Sequence, residues 1–432
     1  MTIPKVALAT LGCKVNQYET QVLREYLLQA GFREVPFKGK ADYYVINTCS
    51  VTEKADRKSE ELIRAAKKSG STAKLIVTGC YAEAEGKRIK EKFPGVDVVL
   101  GNNEKLRLDR LVGLHNPVLV PPKPSISDFY QRNRAFVKIE DGCHEFCTYC
   151  RIPYVRGNRI RSRSPCEVLR EIENLIQKGF KEIVLTGVNL GLYGEDLSSS
   201  ESLVHLLKRL QHYGGGVRFR LSSLEPHLVT NDLLELMGSS SSICPHLHLP
   251  LQSGDDYILQ RMGRKYTLDK YRRLVEEARD LIPQASITTD VMVGFPGEEE
   301  HHFQSTYHFL EEIHFSRLHV FRFSPRPGTK AFSMRPWVEA KIQRKRSEEL
   351  RRLGDTLSRR FAVRFLGKSL RVLVEEKRHS QSGSLMGYTD NYIRIFLEGK
   401  DELKNQLLKI RVIEAGKGGG AIGKVEAADE GT

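Results

Sequence analysis

The stretch Gly142-Cys143-His144-Glu145-Phe146-Cys147-Thr148-Tyr149-Cys150 sets three cysteines at the spacing C-x3-C-x2-C. A short loop of this kind turns three thiols toward one point. Thiolates ligate zinc and iron–sulfur clusters. A structural zinc takes four protein ligands, and no fourth cysteine lies close by. A cubane held by three cysteines keeps one iron open, and an open iron is where a small molecule binds. A redox-inert zinc loop, or three cysteines together by chance, is the alternative. A second triplet is dispersed. Cys13 follows Leu11-Gly12, Cys49 follows Asn47-Thr48, and Cys80 follows Thr78-Gly79, each at the end of a short apolar run. In an open parallel sheet the loops after the strands' carboxyl ends share one edge, where such folds bind ligands. The three cysteines are therefore expected to converge. Three buried packing cysteines are the alternative, but packing alone gives no reason to occupy a strand's carboxyl end three times.

The elements around the dispersed triplet alternate. Residues 6–11, 43–46, 75–77 and 96–100 read as strands, and 18–30, 53–68 and 83–93 as helices. This predicts a parallel sheet with right-handed crossovers over residues 1–113. Gly12 and Gly79 precede cysteines where the backbone must turn and approach a ligand closely. Residues 114–134, with Pro117, Pro121, Pro122 and Pro124, read as a linker.

Residues 129–360 carry the compact triplet. Strands are expected over 136–139, 183–186, 217–221, 246–251, 286–293 and 318–323, with helices between them. Six β/α units predict a partial (β/α)6 barrel with its site at the strands' carboxyl ends. Ser164, Pro165 and Glu167 read as N-cap, first turn and capping-box partner of one helix. Chemistry-bearing residues end the strands: Thr186, Gly187 and Asn189; Ser222, Ser223 and Glu225; Gln252; Asp290 through Gly294, Phe295 and Glu298; and Ser324-Pro325-Arg326-Pro327-Gly328-Thr329. Any one of them is also an ordinary polar cap on a barrel strand. Cys166 and Cys244 fit no ligand pattern and read as packing residues. His246 and His248 alternate on a strand and read as structural.

From Lys341 to Arg364 runs a basic helix that includes Arg344, diluted by Glu348, Glu349 and Asp355. Alternating runs at 370–375, 392–396 and 408–412 then predict a small β-barrel over 363–428. Arg371 and Arg394 beside Tyr388 and Tyr392 suit phosphate contacts and base stacking. The glycine-rich end from Gly416 is expected to fray, and the barrel to be removable without loss of the chemistry upstream.

Lys and Arg number 68 against 54 acids, a formal charge of +14, which favours a polyanionic partner, nucleic acid ahead of a membrane surface. Eight cysteines in 432 residues make no disulfide scaffold. With no signal-like leader and no apolar run of about 20 residues, a cytoplasmic protein without a membrane partner is expected.

These motifs carry a family resemblance. The compact triplet with Tyr149 resembles the radical S-adenosylmethionine (radical SAM) enzymes. Residues 11–19, with Asn47-Thr48-Cys49 and Gly79-Cys80, resemble the N-terminal domain of the methylthiotransferases. Phe323 through Ala331 is similar to a signature of that family, and Gly387 through Tyr392 resembles its TRAM domain, a small RNA-binding barrel. Cys13-Lys14-Val15-Asn16 resembles the branch that acts on threonylcarbamoyladenosine in tRNA, whereas the isopentenyladenosine branch shows Gln-Met-Asn after the cysteine. The resemblance implies two [4Fe-4S] clusters, one on Cys143, Cys147 and Cys150 and an auxiliary one on Cys13, Cys49 and Cys80. It implies SAM contacts from Tyr149, Thr186, Gly187, Asn189, Ser222, Glu225, Gln252, Gly294 and Phe295. It implies tRNA contacts from Arg326, Arg344, Arg371, Tyr388, Tyr392 and Arg394, and a low-potential electron donor. The reaction implied places a methylthio group on C2 of the threonylcarbamoyladenosine 3′-adjacent to the anticodon. That C–H bond has no acidic proton, so a radical is needed where no side-chain base would serve. The rival readings are methylthiolation of isopentenyladenosine or of a ribosomal protein, and an iron–sulfur RNA-binding protein without turnover.

Overall fold

The computed structural model describes residues 3–70, 72–107, 124–130, 133–198 and 201–426. Five strands open the chain: β1 (Lys5–Thr10), β2 (Arg33–Glu34), β3 (Tyr43–Thr48), β4 (Lys74–Gly79) and β5 (Val98–Leu100). All pair in parallel in the order β2-β1-β3-β4-β5. Helices α1 (Lys14–Gln29), α2 (Glu53–Ser69) and α3 (Cys80–Lys92) connect them. The α2 helix starts where Thr52 accepts a hydrogen bond from the Ala55 N–H, with Glu53 and Asp56 in its first turn and Lys67 and Lys68 in its last. The α1 helix starts a turn ahead of the expected Tyr18, so that Lys14 is its first residue. The two-residue β2 has no apolar run and left no trace in the sequence pattern.

The central strands are β6 (Arg134–Lys138), a small pair β7 (Glu140–Asp141) and β8 (Arg161–Ser162), β9 (Glu182–Thr186), β10 (Arg218–Leu221), β11 (His246–His248), β12 (Ser286–Val293) and β13 (Arg317–Arg322). They form two three-stranded parallel sheets, β10-β9-β6 and β11-β12-β13. Bridges Phe219–Ile243 and Ser223–His248 join the two across the middle, leaving an open six-stranded barrel. The β11 strand stops short of the expected Leu251. Pro250 lacks an N–H for the ladder, and the Leu251 N–H goes to the Thr289 hydroxyl instead. Ser164 does precede its helix, but its side chain makes no capping bond, so the expected capping box is absent. Pro165 at the first turn starts this helix through its fixed φ.

The C-terminal strands β14 (Ser369–Val374), β15 (Leu385–Thr389), β16 (Arg394–Leu397), β17 (Leu407–Ala415) and β18 (Gly420–Val425) close into a barrel in the order β14-β15-β16-β18-β17. The segment expected to fray therefore supplies the closing strand up to Val425. Ala421 is fully buried there, and the strand pairs with β16 and β17. Of the expected linker, 114–123 and 131–132 lie outside the described residues, as do residue 113 and residues 427–428 at the expected domain ends. Residues 124–130 are docked, with Ile126 and Phe129 buried and Glu25 accepting bonds from the Ser127 and Asp128 N–H groups.

One hydrophobic core runs from α1 through both central sheets, so the first domain's α1 face is also the barrel's wall. Among the described residues no helix is long and apolar enough to cross a membrane.

Candidate functional site

The dispersed cysteines do converge. Cys13 precedes α1, Cys49 follows β3, and Cys80 opens α3 directly after β4. Asn16 ties their loops together, donating from Nδ2 to the Leu11 carbonyl (2.8 Å) and the Thr48 carbonyl (2.9 Å). Thr48 in turn donates to the Thr78 carbonyl and accepts from the Ala82 N–H. Gly12 sits at φ +99°, and a Cβ there would come within 2.8 Å of the Cys49 Sγ. Glycine is required because the backbone lies against the sulfur. Burial pushes the Cys49 thiol up to about 12, and the Cys80 and Cys13 thiols act in the same direction. Burial raises Cys80 too. Three thiols gathered at the ends of adjacent strands are a donor set suited to a metal, which would displace their protons.

The compact triplet lies on a loop between β7 and a short helix (Ile152–Val155). Gly142 at φ +98° and Phe146 at φ +48° shape it. Thr148 anchors it by N–H to the Met262 carbonyl (2.9 Å), and the Cys150 N–H folds back to the Cys147 carbonyl (2.9 Å). Burial pushes Cys143 and Cys150 up to about 12 and raises Cys147 as well. The Arg264 guanidinium donates to Cys147 Sγ (3.2 Å) and pairs with Glu225. Such a donor suits a thiolate or a cluster sulfur.

The two triplets share a cavity. Cys80 and Cys150 line one hollow with Tyr149, Gln252 and Asp290. Cys13 lines a second hollow, which reaches into the barrel. Arg151, next to Cys150, bonds Ser50, next to Cys49 (3.2 Å), and pairs with Glu85 (2.9 Å). Deeper in, Glu19 of α1 meets Lys105, Lys138 and Arg156, and Arg156 also meets Asp141. Burial alone would raise the Glu19 carboxyl, but Arg156, Lys105 and Lys138 outweigh it and hold it well below the usual range.

The expected SAM residues separate into two sets. Tyr149 and Gln252 line the shared cavity. Glu225 stands with Arg264 beside Cys147, Phe295 packs edge-on against Tyr149, and the side chains of Asn189 and Ser222 are buried without a hydrogen-bond partner among the described residues. Thr186 is buried in β9, and Gly187 lies against Glu140, whose carboxylate a Cβ there would strike. Gly294 faces away, toward Gln343.

The expected tRNA residues are corrected more strongly. Arg326 is buried at 4% exposure on Ser50 and Asp56, so it clamps the first domain to the barrel and offers no free charge. Arg371 pairs with Asp390. Tyr388 and Tyr392 stack on each other, and Tyr392 stacks on His246 at 4.7 Å. These rings point into the barrel's floor. Only Arg344, on the helix Ala340–Val363, is exposed, and Arg394 lies half-buried over Phe396. The terminal barrel is also bonded into the central one. Arg218, fully buried, donates to the Tyr388 carbonyl (2.8 Å), and Arg220 donates to the carbonyls of Thr389 and Asp390. Truncation at 363 would take these carbonyls away and leave both guanidiniums with Glu182 as their shared partner. Cys244 packs as expected, whereas Cys166 is exposed.

The sequence reading took His248 as structural and Asp290 as a strand-end residue, and it passed over His319 and Glu140. His248, Asp290 and His319 bring ligand atoms within 4.8 Å of one another, spacing that would suit an ion. His319 Nδ1 lies 3.2 Å from Asp290 Oδ1, and Asp290 is held low by the two imidazoles against the effect of burial. Glu140 is fully buried; its Oε2 accepts from the Asn189 N–H (2.9 Å) and its Oε1 has no partner among the described residues. Burial pushes it from 4.5 up to about 8. The fold therefore favours its protonated form, a contribution full below pH 4.5 and lost as pH rises to about 8. Glu140→Gln is expected to flatten that decline. Thermal melts of both proteins across the window test it, and parallel curves would count against it.

Comparison with known proteins places this geometry. The Uncharacterized protein family UPF0004 matches residues 5–101, and the radical SAM superfamily matches residues 137–310. The threonylcarbamoyladenosine tRNA methylthiotransferase MtaB of Bacillus subtilis (strain 168) is 38% identical over 427 residues, 95% of this chain and 94% of its own. The protein of that name from Thermotoga maritima is 41% identical over 399 residues, 90% of each chain. The chain belongs to the radical SAM methylthiotransferase family. A tRNA-2-methylthio-N(6)-dimethylallyladenosine synthase from Dictyoglomus thermophilum is 35% identical to this methylthiotransferase, over 96% of it and 97% of its own length. In fold, the methylthiotransferase resembles the radical S-adenosylmethionine methyltransferase TsrM of Kitasatospora setae, solved with cobalamin and a [4Fe-4S] cluster bound. The TM-score is 0.58 at 16% identity, over 77% of each chain.

Proposed function

We propose that the protein is a tRNA methylthiotransferase that converts N6-threonylcarbamoyladenosine, 3′-adjacent to the anticodon, to its 2-methylthio derivative. The observation that carries this is one cavity lined by a cysteine of each triplet, Cys80 and Cys150. Similarity over nearly the whole chain to proteins named for that nucleoside supports the substrate.

Cys143, Cys147 and Cys150 would hold one [4Fe-4S] cluster, and Cys13, Cys49 and Cys80 the other. When bound, the two supply the electron that splits SAM and the iron that carries sulfur to the base. The chain's own residues do the rest. Tyr149 and Gln252 form the wall on which SAM would lie, with Phe295 behind the tyrosine ring. The unpartnered amide of Asn189 and the free carboxyl oxygen of Glu140 would be available to hydrogen-bond the amino-acid end of SAM. Arg264 keeps Glu225 fixed beside Cys147. Ser50, Arg151 and Arg326 hold the two cysteine loops in one register across the cavity, so that an adenine between them is aligned without further ordering. The terminal barrel seals the floor. The exposed basic face of the helix Ala340–Val363 suits tRNA phosphates. A low-potential donor would supply the electrons.

Anaerobically reconstituted enzyme, SAM and dithionite are expected to convert threonylcarbamoylated tRNA and to leave tRNA carrying only dimethylallyladenosine at the same position unchanged, as read by nucleoside mass spectrometry. Preferred turnover of the dimethylallyl tRNA would reassign the branch.

A further inference from the structure

The second hollow, the one with Cys13 on its wall, carries charge that the chemistry above does not use. Four cations approach it: Lys14, Arg134, Arg220 and Arg317. Two are spoken for. Arg134 pairs with Glu182 and Glu375, and Arg220 with Glu182 and the carbonyls of Thr389 and Asp390. Lys14 and Arg317 have no hydrogen-bond or ion-pair partner among the described residues. They come from different elements, Lys14 from the first turn of α1 and Arg317 from the start of β13, where its guanidinium lies 6.0 Å from the Tyr392 ring.

Three further observations mark this as a site for an anion. Ser222 Oγ and His246 Nδ1 line the same hollow, are 7% and 5% exposed as residues, and lack hydrogen-bond partners among the described residues. Buried polar atoms of this kind are normally satisfied. The α1 helix turns its N-terminal end to the hollow with no acidic residue in its first turn, adding positive potential there. The carboxylates nearby are engaged: Glu182 by three arginines, Asp290 by His248 and His319.

We propose that Lys14 and Arg317 bind the threonyl carboxylate of the target nucleoside and thereby select it over adenosines with neutral N6 substituents. The proposal rests on the function read above and adds the group recognised. Cys13 stands on the wall next to Lys14. A purine that presents C2 to the dispersed triplet carries its N6 substituent within the same hollow. A carboxylate there gains two charge-assisted bonds. A dimethylallyl group would desolvate two half-buried cations and leave them unpaired, which is how a polar site rejects an apolar analogue.

The test uses full-length reconstituted enzyme and tRNA carrying threonylcarbamoyladenosine, either as the acid or as its methyl ester. Lys14→Gln and Arg317→Gln are each expected to lower kcat/KM for the acid by about tenfold or more, mainly through KM. Lys14→Arg and Arg317→Lys should recover most of it. The wild type should discriminate acid from ester, and each Gln variant should lose that discrimination. Binding of the free nucleoside to the cluster-free protein gives a second readout, with weaker binding expected in the same variants. Equal kcat/KM for acid and ester in the wild type, or an unchanged acid-to-ester ratio in both Gln variants, overturns the proposal. A wild type that methylthiolates only dimethylallyl tRNA overturns instead the function on which it rests.

Discussion

Replacing Cys13, Cys49 and Cys80 together by Ala is expected to leave about four of about eight irons per chain after anaerobic reconstitution. Reductive cleavage of SAM to 5′-deoxyadenosine should persist, because the compact triplet and its anchors at Met262 and Arg264 stay in place. Methylthio product should fall to background. The converse variant, with Cys143, Cys147 and Cys150 replaced, should also retain about four irons but form no 5′-deoxyadenosine. The two sets hang from different frameworks: Asn16 and Thr48 bind the first to the parallel sheet, and Thr148 binds the second to the barrel. Loss of one set therefore does not unfold the other's loop. Iron and sulfide analysis together with the 5′-deoxyadenosine assay checks both variants. Full iron in the Cys13/Cys49/Cys80 variant would make those thiols structural, and an auxiliary cluster could not be kept.

Arg156→Met is expected to destabilise the protein by about 3–5 kcal/mol, the cost of stripping a buried ion network of its central cation. Arg156 is 3% exposed and reaches Glu19 at 3.0 Å and Asp141 at 3.2 Å. Glu19 belongs to α1 and Asp141 to β7, so the substitution removes the cation shared by carboxylates on both sides of the domain contact and leaves them to Lys105, Lys138 and Arg161. Glu19 is ionised well below the usual carboxylate range, so its stabilisation is present above pH 4.5 and lost on acidification. Denaturant midpoints at neutral pH measure the loss. Adding Glu19→Gln should cost much less than the sum of the two single changes, because the pair is coupled. Strict additivity, or a loss under 1 kcal/mol, would mean that the network does not hold the domains together.

Much of this molecule was legible in advance. The strand–helix alternation of the first hundred residues, the six central strands and the small terminal barrel follow from apolar periodicity and turn residues. Both cysteine triplets were legible too, the compact one from spacing and the dispersed one from strand-end position. Less was legible at the domain contacts. Arg326, Arg371, Tyr388 and Tyr392 have the composition of an RNA surface, yet they are engaged by Asp56, Asp390, Arg134 and His246 within the protein. An arginine's sequence context does not reveal whether a carboxylate from another domain waits opposite it. The closing strand β18 was missed for a related reason. Its glycines read as disorder, but Gly423 is needed where Ile410 and Ile395 crowd the backbone.

The sequence by itself determined the chemistry available to this protein: two sets of three thiols, the glycines that let backbone approach sulfur, and the parallel strands that carry them. Those features are local, set by covalent spacing and by short-range periodicity. Only the tertiary structure decided what faces what. It put Cys80 and Cys150 on one cavity, buried Arg156 between two domains, and brought Lys14 and Arg317 from far apart in the chain to one hollow with no carboxylate on its wall. Charge pairing across distant segments depends on which side chains the packed core brings within a few ångströms of each other. No local pattern records that distance, because the interaction is made by the folded arrangement and not by the neighbouring residues.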